Sequence, residues 1–273
     1  MFLPVAPTSN VRSLGATLEL IFHVAVRDIR MANSNAIVGL LVNVLQSSVM
    51  LATFYFMFNV LHLRGSAVRG DYMLYMMSGI FMYMTHVKTV RAVSKAEGPT
   101  SAMMKHAPMN TVVAIGGQAL AALYQQVLSA MVILFVYNTL FARIEIEFPV
   151  AAFSMLLVAW INGIGVGMIF KAATPWAPDF FRVVLVVYTS ANMIASGKMF
   201  LANALPTSVL FWFAWNPLFH IIDQTRGFVF LNYNPHYTTL TYPAITAAVL
   251  IFLGLLGDTF TRQHASISWT AGK

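Results

Sequence analysis

The sequence predicts an all-α, polytopic membrane protein with six transmembrane helices. An N-terminal interfacial helix precedes them, and a re-entrant helical pair precedes the last span. Three observations predict this. Charged residues make up 9% of the 273 and hydrophobic residues 59%, whereas a soluble domain carries about 25% charged residues. Six apolar stretches are each long enough to cross a bilayer, at roughly 20 residues per span. The basic residues also fall unevenly between the two sides that those spans define.

Residues 1–35 read as a cytoplasmic segment. The start, MFLPVAPTSN, has neither a basic region nor a short apolar run, so no cleaved signal peptide is expected. Leu14, Leu18, Ile21, Phe22, Ala25 and Ile29 then recur at helical spacing. Arg12, Glu19, His23, Arg27 and Arg30 take the other side, and Leu20, Val26 and Asp28 blur the boundary. Such a helix suits the headgroup plane, its basic residues facing anionic lipid.

Residues 36–273 form the six-span domain, with spans near 36–60, 72–90, 110–138, 149–170, 180–198 and 240–258. With the N-terminus in the cytoplasm, eleven Lys and Arg fall inside and five outside (Arg64, Arg69, Arg143, Lys198 and Arg226). That asymmetry follows the positive-inside rule and places both termini in the cytoplasm. It also accounts for the net charge of +7 without nucleic acid as a partner. The absence of cysteine excludes disulfides and thiolate metal sites.

Two connecting regions stand out. The 91–108 linker is the most polar part of the chain, and Gly98-Pro99 breaks it. Thr100 or Ser101 can cap a short helix carrying Met103, Met104 and Lys105, which Pro108 ends. Methionines suit a groove on a partner; a plain loop is the alternative. The 199–239 region is rich in aromatic residues, yet Pro206, Pro217 and Pro235 interrupt it, and Asp223 and Arg226 lie within it. Backbone of that kind dips into a bilayer only where protein or a water cavity covers it. Two short helices split near Asn216-Pro217 are expected. Asn216 would cap the second, Pro217 would open it, and Asp223 and Arg226 would share one of its faces.

Few sites of chemistry are visible. Ser196-Gly197-Lys198 lacks the first glycine of a phosphate-binding loop, since Asn192 stands there. Gly163 and Gly167 suit close helix packing rather than a dinucleotide. No histidine pair has metal-ligand spacing, and no nucleophile–base set or carboxylate pair appears. His86 reads as a hydrogen-bonded packing residue. The span centres contain no acid, which argues against an ion-coupled carrier.

The spans do carry uncharged polar stripes. Asn43 and Ser47 lie one turn apart on the first, Gln118, Gln125 and Ser129 share a face of the third, and Tyr188, Asn192 and Ser196 share a face of the fifth. Singly, each suits a bond between helices. As a set they suit a path for a neutral, hydroxyl-rich solute.

This order of elements resembles the membrane subunits of type-2 ABC exporters, the capsular polysaccharide export family of Gram-negative inner membranes above all. The local likeness lies in Trp215-Asn-Pro-Leu-Phe-His220 with Ile-Ile-Asp-Gln-Thr-Arg226 after it, in Tyr233-Asn-Pro-His236 leading to Tyr242-Pro243, and in Arg27-Asp-Ile-Arg30. After Arg30, Met31-Ala-Asn-Ser-Asn35 replaces the family's usual basic Arg-Tyr stretch.

The resemblance implies a homodimer of this chain with two ATPase subunits, exporting a capsular-type polysaccharide or glycolipid. ATP and Mg would bind to the ATPases, and no cofactor or catalytic group would belong to this chain. The path would run between two copies along spans one and five, with Asn43, Ser47, Tyr188, Asn192 and Arg226 on it. Glu97, Thr100, Met103, Met104 and Lys105 would meet the ATPase. Asn216, Pro217, His220 and Asp223 would shape the re-entrant region. A periplasmic adaptor or outer-membrane exporter fits the same scheme. The alternatives are a related permease for O-antigen, a teichoic-acid-like polymer or a drug, and an integral-membrane enzyme acting on lipid-linked sugars.

Overall fold

Helices occupy all six stretches expected as spans. The computed structural model describes residues 10–32, 36–60, 71–97 and 110–264, and the regular structure among them is helical. In chain order the helices are α1 (Asn10–Ala32), α2 (Ala36–Val60), α3 (Tyr72–Ser94), α4 (Thr111–Leu140), α5 (Pro149–Ala173), α6 (Pro178–Ala195), α7 (Thr207–Phe213), α8 (Pro217–Val229) and α9 (Thr241–His264). Local chemistry sets their starts. Asp71 and Asn110 each accept a hydrogen bond from the backbone of the helix they cap, at 2.8 Å. Proline, which has no N–H to leave unsatisfied, opens α5, α6 and α8.

α2, α4, α5 and α9 are long and apolar enough to cross a membrane. The other two expected spans fall short of that measure, for different reasons. α6 has 18 residues and includes Asp179 and Arg182. α3 carries Ser78, Thr85, His86, Lys88, Thr89 and Arg91, but it is enclosed by α2, α4, α5, α6 and α8 rather than facing outward. A helix inside a bundle need not be apolar if its polar groups find partners. The hydroxyls of Ser78, Thr85 and Thr89 bond back to α3's own carbonyls at 2.7–2.8 Å.

The core lies where α5 meets α3 on one side and α9 on the other. A Cβ added at Gly163 would stand 2.9 Å from the His86 carbonyl oxygen on α3. One at Gly167 would stand 2.7 Å from Val93 Cβ, and one at Gly165 2.8 Å from Leu250 Cβ on α9. The glycines therefore set the helix spacing on both faces of α5. Gly167→Ala is expected to lower stability by about 1–3 kcal/mol through overpacking, read as the unfolding midpoint in detergent. Gly15→Ala on α1, where nothing lies within 4 Å, should leave that midpoint unchanged or raise it, since alanine favours a helix over glycine by roughly 0.5–1 kcal/mol. Equal midpoints for both variants would show that α3 and α5 can separate freely.

α1 lies along α4. Val24 and Ala25 are buried, against Gly117, while Ile21 packs on Gly116. Leu18 and Phe22 stay exposed. The apolar stripe expected to face lipid as a whole is therefore divided. It is wider than one helix–helix contact, so its Ile21–Ala25 edge packs on protein and its Leu18–Phe22 edge stays outside.

Candidate functional site

The residues that the sequence picks out before the last span form a bracket around α8. Asn216 Oδ1 accepts from Leu218 N at 3.0 Å and caps the helix. Its amide nitrogen donates to Asn192 Oδ1 and to the Ala195 carbonyl, both at 2.9 Å. One side chain thus starts α8 and fixes it to the end of α6. Pro217 is the first residue of α8, and the buried Leu218 and Phe219 anchor this turn.

His220 lies one turn on and is buried. Its Nδ1 accepts from Thr239 N at 3.1 Å, so Nε2 carries the proton and donates to the Ala214 carbonyl at 2.9 Å. The neutral ring joins both ends of the region, and protonating Nδ1 would break the Thr239 bond. Tyr242 packs on the ring in a tilted arrangement, centroids 4.7 Å apart, and donates to the Trp215 carbonyl at 2.8 Å.

Asp223 and Arg226, expected to share a helix face, each bind the loops around α8 rather than each other. Asp223 accepts from Tyr233 Oη at 2.5 Å, Thr238 Oγ1 at 2.8 Å and Ala202 N at 3.2 Å. Burial, and then the neighbouring Asp223 charge, push the Tyr233 phenol up, so it remains a donor to that carboxylate. Arg226 is 0% exposed. Its guanidinium donates to the carbonyls of Gly197, Lys198 and Phe200, the first at 3.0 Å and the last at 2.6 Å, and it stacks on the Tyr75 ring at 4.1 Å. The reason for the difference is physical. The segments on either side of α8 have turned backbone with unpaired groups. An acid collects their donors while a base collects their carbonyls.

Lys198, counted outside from the sequence, is also buried. Its ammonium lies 3.6 Å from the centre of the Tyr83 ring and 4.8 Å from that of Phe54, and finds no hydrogen-bond partner among the described residues. The aromatic faces supply the attraction. Nothing in the sequence spacing brings residues 54, 83 and 198 together.

The residues expected on a transport path all turn inward. Asn43 donates to Gln125 Oε1 at 3.1 Å and accepts from Lys88. Ser47 is 1% exposed. Tyr188 meets His86 Nε2 at 2.9 Å, and Asn192 accepts from Asn216. Each of these four side chains thus meets a neighbouring helix of the same chain or is covered by it. The faces that α2 and α6 leave exposed are mainly apolar, with Leu41, Leu45 and Val49 on one and Val183, Val186 and Val187 on the other, while Gln46 and Thr53 on α2 and Asp179, Arg182 and Ser190 on α6 are exposed too. His86 is the packing residue expected; it is fully buried, with Nδ1 3.4 Å from the Ala159 carbonyl. Of the residues expected to meet an ATPase, Glu97 is half-buried just past α3. Thr100, Met103, Met104 and Lys105 lie outside the described residues.

A second polar site was not read from the sequence. Between α1, α2, α3 and α4 lies a cleft of about 280 Å³, whose walls include Asp28, Asn43, Lys88, Arg91, Gln118 and Gln125. Its visible signals were Asp28, which spoils the apolar pattern of α1, and the polar positions Asn43, Gln118 and Gln125, which their spacing did not bring together. The Asp28 carboxylate accepts from Arg27 at 2.8 Å and from Gln118 Nε2 at 2.6 Å.

These features describe a multi-pass helical membrane protein. The chain is 29% identical over 112 residues to a polysialic acid transport protein, KpsM, of Escherichia coli; the match covers 40% of this chain and 43% of that protein. A second polysialic acid transport protein KpsM of the same organism is 28% identical over the same length and shares. The chain thus spans less than half the length of the curated relatives that it matches. No family model matches it. The two matches support the resemblance to capsular polysaccharide export permeases.

Proposed function

We propose that this chain is the permease subunit of an ATP-driven exporter that moves a capsular-type polysaccharide or glycolipid across a bacterial inner membrane. The match to two polysialic acid transport proteins carries the reading. The order of elements supports it: an amphipathic α1, two helices, a polar linker, three more, the split pair α7 and α8, and α9. All six long helices after α1 span in this reading, α3 with its polar groups turned to neighbours, and both termini are cytoplasmic. α7 and α8 dip in from the outer side without crossing.

Two copies of the chain meet along α2 and α6, and two separate ATPases bind ATP and Mg. The chain itself is a transport subunit rather than an enzyme. Asn43, Ser47, Tyr188 and Asn192 reach a path between the copies only when α2 or α6 parts from α3, α4 and α8. Arg226 holds the outer bracket instead of touching the cargo. Glu97, Thr100, Met103, Met104 and Lys105 receive the ATPase, with the methionines as central anchors and the charges as rim.

Association and export, measured together, test this. Wild-type chain is expected to bring an ABC ATPase with it out of its own cell membrane and to restore surface polysaccharide to a deletion strain. Met103→Asp combined with Met104→Asp should insert normally but lose both. A purified chain that alone makes product from a lipid-linked sugar donor would instead establish an integral-membrane enzyme.

A further inference from the structure

The cleft beside α1 has a charge pattern that its own walls do not balance. Lys88 and Arg91 lie three residues apart on α3 and line the same space. Like charges so placed repel. Among the described residues neither forms an ion pair. Asp28 is the one carboxylate among the lining residues, and Arg27 and Gln118 already engage it.

The amides around the two cations are held in place. Asn43 gives its oxygen to Lys88, and its nitrogen goes to the Gly39 carbonyl at 3.0 Å and to Gln125 Oε1. With its oxygen so bound, Gln125 keeps its amide N–H groups for whatever occupies the cleft. Arg91 is steadied by one bond to Thr189 Oγ1 on α6 at 3.0 Å, which leaves most of its five donors. Lys88 likewise has donors beyond the one that Asn43 takes.

Size and depth restrict the occupant. The cleft's volume of about 280 Å³ lies just below the roughly 300–1,000 Å³ of ligand pockets, so it suits a headgroup and not a sugar chain. The wall formed by α1 belongs to a helix that leaves Leu18 and Phe22 exposed on another side. A helix with that division sits at headgroup level. A tetrahedral anion with several acceptor oxygens matches two cations and converging amides.

We propose that this cleft binds one phosphate ester group, with Lys88 and Arg91 as its cationic clamp. The ester is the headgroup of an anionic lipid or a water-soluble phosphate. The site rests on the chain lying in a membrane and not on which cargo it moves, so binding is read without transport.

The full chain is reconstituted in nanodiscs of phosphatidylcholine doped with phosphatidylglycerol, and lipid retained on the released chain is counted by native mass spectrometry. Wild type is expected to retain one phosphatidylglycerol. Lys88→Gln with Arg91→Gln should retain it about a hundredfold more weakly, the effect of two lost charge-assisted hydrogen bonds at roughly tenfold each. Lys88→Arg should keep it, as should Lys95→Gln, whose exposed lysine caps α3 outside the cleft. Should the double variant fail to fold by circular dichroism, Arg91→Gln alone gives the same reading, because Arg91 is exposed.

Glycerol phosphate added in solution separates the sources. Its displacing the lipid, or binding where the lipid does not, assigns the site to soluble esters; lipid retained in its presence assigns it to a headgroup. Equal retention by wild type and the glutamine variants overturns the proposal. So does an equal loss in Lys95→Gln, which would reduce the effect to diffuse surface charge, and so does binding of neither probe.

Discussion

Arg226→Ala is expected to unfold the outer bracket. The guanidinium is 0% exposed and serves three carbonyls on the 197–200 turn. Gly197 O keeps a second partner in Phe200 N at 3.2 Å, which leaves Lys198 O and Phe200 O to be orphaned. Each buried acceptor left unsatisfied costs about 1–3 kcal/mol, so the variant should lose several kcal/mol and expose the 197–206 segment to protease. Arg226→Lys separates this role from that of a charge guiding a polymer. A single ammonium cannot reproduce the planar fork, so the lysine variant should recover only part of the stability. Full stability in Arg226→Ala, with export lost there and intact in Arg226→Lys, would return Arg226 to the path of the cargo.

The sequence made the helices legible because their cause is local. Apolar length, proline at helix starts, and Asn216 as a cap all act within a few residues. The helix split at Asn216-Pro217 follows from them. Gly163 and Gly167 were legible as a packing face because their four-residue spacing puts both on one side of α5.

Partners of the polar side chains were not legible, because they depend on which helices touch. Asp223 and Arg226 are three apart and could share a helix face, yet each serves loops more distant in sequence than its neighbour. Lys198 reads as a solvated charge from its sequence position, and α2 and α3 bring Phe54 and Tyr83 against it. The stretch expected as the second span illustrates the same limit. Hydropathy counts residues as if each faced lipid, and α3 faces other helices on most sides.

The second large effect concerns the opposite end of α5. Lys171 Nζ lies 2.6 Å from Asp258 Oδ1 on α9, and both residues are buried. Arg262 adds a contact to Asp258 Oδ2 at 3.2 Å from a more exposed position. Asp258→Ala would leave the Lys171 ammonium buried without its counter-charge, and breaking such a pair from one side costs about 3–5 kcal/mol. Lys171→Met should cost less, because Asp258 would keep Arg262. Arg262→Ala should cost least, about 0–1 kcal/mol, as for other solvent-screened pairs. Lys171→Met combined with Asp258→Leu removes both charges and refills the space, and such replacements are often neutral or stabilising. Unfolding midpoints of the four variants in one detergent should therefore rank Asp258→Ala lowest and the double variant near wild type. A double variant as unstable as Asp258→Ala would show that the pair is needed for its own attraction, rather than each charge being needed because the other is there.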